Sequence, residues 1–387
     1  MRLPLRFRRR SPEKRIISAR PPAVINSADR KCARRCEEIS EPLSILHVDT
    51  GRAFRGGQQA LLTLARGLRE RGHSQQIATP ANSALAERAN QDGLASVPLG
   101  SVLDLRRALR GVQIVHAHSG RAQNLAFLAA MRLPVVRVMT RHVAFEPRYP
   151  RIHALKYGAG CHGVIAVSEP VRRVLVNAGV PETKIEIIPN GIESPEKETS
   201  AEERRAARLT YGIGENDFAV GHLGAFTREK GQDVAMEAFA ILRDRMPGLR
   251  MILAGDGAPP VAPDARVLLP GFVTNRKEFF AALDLFIMPS RSEGWGLAAA
   301  EALAHGIPVV ASDTGGLASI VAPGKTGWLV EPGDSRALAS AIEEAALDPR
   351  RLKEMSSRGR EGSARFSTQK TADLTEGFYR RLMERDR

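Results

Sequence analysis

From Ser44 onward, short apolar runs alternate with longer stretches whose apolar residues recur at helical spacing. SILHVD is such a run. It leads through Gly56-Gly57 into QQALLTLARGLRERG, where Leu61, Leu62, Leu64, Ala65 and Leu68 share one face. The pattern then predicts strands in SQQIATP, VQIVHAH, PVVRVMT, CHGVIAVS and KIEIIPNG, with helices in LAERANQDG, AQNLAFLAAMR and EPVRRVLVNAG. After a polar, Pro-containing stretch the alternation restarts. Strands are predicted in FAVGHLG, RMILAGDG, ARVLLPG, LFIMPS, IPVVASD and GWLVEP, and helices in GQDVAMEAFAILRDR, KEFFAAL, LAAAEALAHG and GLASIV. Helices SRALASAIEEAAL, PRRLKEMSSRGR and TADLTEGFYRRLMERD end the chain. Short, wholly apolar strands separated by helices predict parallel sheets covered on both faces, and the restart predicts two successive α/β units.

The boundary between the units is expected near Glu193–Ser200. This gives a basic arm over 1–41, a first domain over 42–195, a second over 196–366 and a last helix over 367–387. Among 387 residues, 43% hydrophobic and 26% charged is ordinary globular composition. The net charge of +14 is unevenly placed. Residues 1–41 hold 12 Lys or Arg against 5 Asp or Glu, residues 42–195 hold 19 against 10, and the remainder holds 26 against 28. A positive first half attracts anionic partners, either nucleic acid or an anionic lipid surface. Few aromatics and the lack of a nucleic-acid motif argue against nucleic acid. Cys32, Cys36 and Cys161 lack the further ligands of a zinc site, and an odd count does not suit a disulfide framework. With neither a long apolar run nor a secretory leader, a cytoplasmic protein is expected.

The segment MPSRSEGWGLAAAEALAHGIPVVASDTGG carries the most chemistry. Glu293 stands in a Gly-flanked loop after a strand, and Glu301 stands within the next helix, among Ala and Leu. A carboxylate buried there needs a partner, which a hydroxyl pair such as a ribose would supply. The turn Gly294-Trp295-Gly296, running into Leu297, leaves space at a helix N-terminus, whose free N–H groups suit a diphosphate. In VGHLGAFTREKGQD a strand and Gly224 precede Arg228 and Lys230, cations placed to neutralise phosphate. This spacing is neither that of a dinucleotide fingerprint nor that of a P-loop. Gly56-Gly57 would let backbone approach a ligand. His116, His118, Arg141, His142 and Asn190 follow or end strands of the first unit, where open α/β sheets bind ligands. Each of these features also has a plain structural reading as a turn, a satisfied core histidine or a solvated charge.

Taken together, EGWGLAAAEALAHGIPVVASDTGG, VIAVSE, IIPNGI, LGAFTREKG, LAGDG, LFIMPS and TGWLV resemble, in order and spacing, the family-4 retaining glycosyltransferases, over roughly residues 43–345. The resemblance implies a GT-B fold: α/β, two Rossmann-like domains facing across a cleft, with the C-terminal helix crossing back to the first domain. It implies that Glu301 holds the nucleotide ribose and that Glu293 lies near the donor sugar. Arg228 and Lys230 would hold the diphosphate, Gly56-Gly57 would close over it, and His118 would lie near the sugar. His116, Arg141, His142 and Asn190 are acceptor-side candidates. Two positions depart from the family pattern: Ala225 stands where Arg often follows the phosphate-turn Gly, and Ser319 where a Glu often stands.

The expected activity is transfer of a sugar from a nucleotide-diphosphate donor to a glycan or lipid-linked acceptor, with retention. Front-face attack with the leaving phosphate as base is expected, since no second carboxylate is placed as a nucleophile. No cofactor or metal is expected. A role in lipopolysaccharide or other cell-envelope synthesis would explain the basic first half, as a peripheral contact with the inner membrane leaflet. The alternatives are an epimerase or phosphorylase on the same fold, a nucleic-acid-binding protein, and a non-catalytic relative.

Overall fold

The computed structural model describes residues 41–146, 152, 154–259 and 264–385. The expected basic arm, apart from Glu41, and the Cys32/Cys36 pair lie outside these residues. Residues Pro42–Arg387 form one compact unit.

The first parallel sheet comprises β1 (Ser44–Val48), β2 (Ser74–Thr79), β3 (Ala95–Pro98), β4 (Ile114–Ala117), β5 (Val136–Arg141), β6 (Gly163–Ala166) and β7 (Ile185–Ile187), in the order 3-2-1-4-5-6-7. Its crossovers include α1 (Gly56–Glu70), α2 (Ala84–Gln91), α3 (Val102–Ala108), α4 (Gly120–Ala129) and α5 (Glu169–Asn177). Serines start four of them: the hydroxyls of Ser83, Ser101, Ser119 and Ser168 accept from the N–H groups of Ala86, Asp104, Ala122 and Val171.

Helix α6 (Ala201–Thr210) leads into the second parallel sheet. That sheet comprises β8 (Phe218–Leu223), β9 (Leu249–Ala254), β10 (Val267–Gly271), β11 (Leu285–Met288), β12 (Val309–Ser312) and β13 (Gly327–Val330), in the order 10-9-8-11-12-13. The helices α7 (Gln232–Leu242), α8 (Arg276–Ala281), α9 (Leu297–Ala304), α10 (Ser335–Leu347) and α11 (Pro349–Ser363) cover it. Every residue of β4, β6, β11 and β12 is buried, as two-sided cover requires. In each sheet the strand order reverses direction once, between β1 and β4 and between β8 and β11. Ligands of open α/β sheets bind beyond the strand ends at such points.

Helix α12 (Thr368–Arg385) returns to the first sheet. Phe378, Tyr379 and Leu382 join the core of Leu43, Ile45, Leu64, Leu68, Val136 and Val138. A Cβ on Gly163 would lie 2.4 Å from the Phe378 ring, so β6 carries glycine where the helix presses closest. Glu376 pairs with Arg71 and His73 of the first half. Burial pushes the Glu376 carboxyl up, but hydrogen bonds from Arg71, Arg380 and His73 outweigh it and hold the group down at about 2. The chain's two passages between the sheets run side by side: Ile192 N–H donates to Phe366 O at 2.8 Å, and Thr368 N–H to Ile192 O at 3.2 Å.

Three elements differ from the sequence expectation. GLASIV is a single 3-10 turn, Leu317–Ser319, confined between Gly316 and Pro323. Strand β3 and helix α3 were not foreseen. No residue of β3 is fully buried and only Leu105 of α3 is, so neither writes an apolar period into the sequence.

Candidate functional site

Two adjoining cavities open beyond the carboxyl ends of the second sheet, facing residues of the first half. One, of about 200 Å³, is lined by Gly224, Ala225, Thr227 and Lys230 after β8, by Asp256 after β9, and by Glu293, Leu297 and Ala298. Phe54, Arg55 and Gly56 of the first half close it. Leu297 and Ala298 open α9, so the free N–H groups of that helix start lie at this wall. The other cavity, of about 370 Å³, is lined by Glu301, His305, Asn275 and Lys277, with Gln59, Arg88 and Glu193 opposite. Phe272, Val273 and Arg276 line both.

Each carboxylate of the expected pair carries a cation. Lys230 Nζ lies 2.6 Å from Glu293 Oε2. Arg276 Nη1 bonds Glu301 Oε2, and both side chains are largely covered. Burial pushes the Glu301 carboxyl up, against the pull of the Arg276 guanidinium. The loop carrying Glu293 is fixed by close packing. A Cβ on Gly294 would fall 1.9 Å from the carbonyl oxygen of His142, and one on Gly315 would fall 1.5 Å from that of Glu293. The Gly294 carbonyl also accepts from Ser168 Oγ at 2.6 Å, tying the Glu293 loop to the first half.

The first sheet's strand ends hold imidazoles instead. His47 and His116 are register partners on β1 and β4. His47 Nε2 faces Gln75 Oε1 at 2.8 Å, and His47 Nδ1 faces His118 Nε2 at 3.0 Å. His116 bonds Tyr379 Oη at 2.6 Å and Thr140 Oγ1 at 2.7 Å. Burial lowers all four strand-end histidines, His47 and His142 to about 4 and His116 and His118 well below their ordinary value, so the cluster is neutral near pH 7. A neutral His47 that donates to Gln75 through Nε2 must accept at Nδ1 from His118 Nε2–H. This leaves His118 Nδ1 as a bare acceptor, and it has no protein partner. Neither ring nitrogen of His142 has one. His47, His116 and His118 lie close enough to suggest a metal site, an arrangement the sequence did not suggest. Hydrogen bonds occupy both nitrogens of His47, both of His116 and one of His118.

Of the residues singled out from sequence, Gly56, Gly224, Lys230, Glu293, Leu297 and Glu301 line the two cavities. Gly57 sits against the His142 ring instead. Arg228 is exposed and lines neither cavity, and its carbonyl accepts from Arg291. Trp295 is buried edge-on against Phe366, and Gly296, at φ 111°, starts α9. Arg141 is turned onto the carbonyls of Val143 and Phe145. His118, His142 and Asn190 border a space of about 20 Å³, room for little more than a water.

Sequence reasoning missed Arg276, because one Arg at the start of a six-residue helix carries no pattern. It also missed Arg88, whose guanidinium lies 3.7 Å from the Phe54 ring centre and 5.1 Å from that of Phe272. Burial, and then Arg276, lower the Arg88 guanidinium.

Two facing parallel sheets with ligand-sized cavities at their switch points define the GT-B class. Comparison with known proteins agrees with this. The profile of glycosyl transferases group 1 matches residues 217–348, and that of glycosyltransferase family 4 matches residues 54–194. D-inositol 3-phosphate glycosyltransferase of Nocardia farcinica is 30% identical over 70% of this chain and 67% of its own length. Glycosyltransferase EpsD of Bacillus subtilis is 29% identical over 48% of this chain and 51% of its own, so the chain matches about half to two thirds of these relatives. The crystal structure of HepE from Anabaena, solved with UDP and glucose, superposes with a TM-score of 0.79 at 23% identity, covering 87% of this chain and 98% of that one. The chain belongs to the family-4, group 1 glycosyltransferases.

Proposed function

We propose that this protein transfers a sugar from a nucleotide-diphosphate donor to a glycan or lipid-linked acceptor with retention of anomeric configuration. The observation that carries this reading is the pair of joined cavities, one ending on the buried Glu301 carboxylate and the other on Lys230 and the start of α9. A ribose suits the first, because its vicinal hydroxyls can donate to a carboxylate. A diphosphate suits the second, where an ammonium and helix N–H groups meet developing negative charge. HepE, solved with UDP-glucose, supports a donor of that class.

In the proposed reaction the bond from anomeric carbon to phosphate oxygen breaks and the acceptor oxygen bonds the same carbon. The acceptor proton passes to the departing phosphate. Lys230 stabilises the leaving charge, and Glu293 faces the electron-poor sugar ring. His118 Nδ1 and His142 offer neutral hydrogen-bonding positions for sugar or acceptor hydroxyls. No metal or other cofactor is required in this scheme.

The test is thermal shift against UDP-, GDP- and ADP-sugars for wild type and Glu301→Ala. Stabilisation by one nucleotide class, lost in the variant, is expected. No shift with any of them would overturn the donor reading.

The proposed site of action is the inner face of a membrane, in lipopolysaccharide or other cell-envelope synthesis. No helix among the described residues is long and apolar enough to cross a bilayer. Leu103, Phe127, Leu128 and Met131 on and beside α3 and α4 are exposed, interspersed with exposed Arg107, Arg110, Arg121 and Arg132. Apolar side chains among arginines suit an anionic lipid surface. Sedimentation with anionic vesicles, weakened by salt, is the expected result, and no binding at any salt concentration would count against it.

A further inference from the structure

We propose that Arg276 is the guanidinium that binds the donor's diphosphate, exchanging its contact with Glu301 for the phosphate when the nucleotide enters. This rests on the donor reading above and assigns a residue to it.

A diphosphate brings about two negative charges into a partly closed cavity, and desolvating them requires matching cations. The cations at that cavity are Lys230, Arg55 and Arg276. Lys230 is engaged by Glu293 at 2.6 Å, which offsets much of its charge. Arg55 is exposed on the opposite wall, at the start of α1, where water screens it. After β8 the wall's only cation is that same Lys230: Ala225 offers a methyl group, and Arg228, three residues on, faces solvent. Arg276 is the largely covered guanidinium that reaches both cavities. Its present partner, Glu301, stands where the ribose hydroxyls are to bind. A ribose that donates to Glu301 displaces Arg276, and the freed fork lies beside the neighbouring phosphate space. Ribose and diphosphate thus trade places with one ion pair, and the buried carboxylate is never left without a donor.

The experiment is calorimetric titration of UDP and UMP, with the GDP/GMP and ADP/AMP pairs alongside. The proteins are wild type, Arg276→Ala, Arg276→Lys, Arg276→Ala with Glu301→Gln, and Arg276→Ala with Ala225→Arg. Wild type is expected to prefer the diphosphate of one base. Arg276→Ala should cut that preference by about 10- to 100-fold while monophosphate affinity changes far less. Arg276→Lys should recover part of the preference, because it keeps the charge without the fork. The double variant lacking both charges should show the same lost preference, which separates phosphate binding from the effect of a stranded Glu301. A guanidinium at 225 should restore the preference. Equal weakening of mono- and diphosphate, or no change in either, overturns the assignment of Arg276 alone. A wild type that binds none of these nucleotides overturns the donor reading instead.

Discussion

The carboxyl ends of the two sheets solve the same geometric problem with different chemistry. Both lie where the strand order reverses, and both face the cleft. The first holds His47, His116, His118 and His142, kept neutral by burial, of which only His118 and His142 keep ring nitrogens without a protein partner. The second presents two cation–carboxylate pairs, Lys230–Glu293 and Arg276–Glu301. Net charge along the chain points the other way, since residues 42–195 are the basic ones and the second half is nearly balanced. Formal charge therefore reports the outer surface, while the site is set by which side chains are desolvated and what partners they find. A neutral rim suits sugar hydroxyls, and an ionic one suits phosphate and ribose.

Substitutions on each side test this division, and the largest effect is expected at the ionic end. Lys230→Ala should lower turnover by ~10²–10³-fold, as removal of one preorganised donor to transition-state charge does. An unchanged rate of sugar transfer would remove Lys230 from the chemistry. At the neutral end, His118→Ala should lower turnover by about 10-fold with nucleotide affinity unchanged, as loss of a single hydrogen-bond acceptor implies. If nucleotide affinity fell equally, His118 would belong with the donor groups. His116→Phe should instead reduce thermal stability, by roughly 1–3 kcal/mol, because Tyr379 and Thr140 lose their buried partner. The smallest effect is expected at Glu376, away from the cleft. Its pKa is depressed to about 2 in the folded chain, so its contribution is present above its ordinary value near 4.5 and is lost as pH falls from there towards 2. Arg71 is partly exposed, which screens the pair, so Glu376→Gln should cost about 1–2 kcal/mol at pH 7. The melting temperatures of variant and wild type should converge as pH falls through that window. The buried histidines act in a higher window: stability declines from pH 6.5 towards about 4 as the unfolded chain takes up protons that folded His47 and His222 refuse.

Much of this arrangement was legible in the sequence. The buried strands wrote continuous apolar runs, and the helix with Glu301 among alanines announced a carboxylate needing a partner. What was not legible depended on contacts between distant segments. Arg276 has meaning only because α8 begins beside both cavities. Arg228, equally cationic and beside Lys230, turns outward on a 3-10 turn whose other cation faces in. His116 and His118 look alike on an apolar strand, yet α12 supplies Tyr379 to one while the other keeps a bare nitrogen. Trp295 stands out among few aromatics, but its ring fills core space against Phe366.

The paired passages at Ile192 and Phe366–Thr368 carry a mechanical consequence. Two strands of backbone laced together by hydrogen bonds behave like the pin of a pair of tongs. A swing about the line through them changes no length along either passage. A rotation of this kind would separate Gly56 from Lys230 across the cavity with the pin intact, and it would require the Ser168–Gly294 hydrogen bond to break.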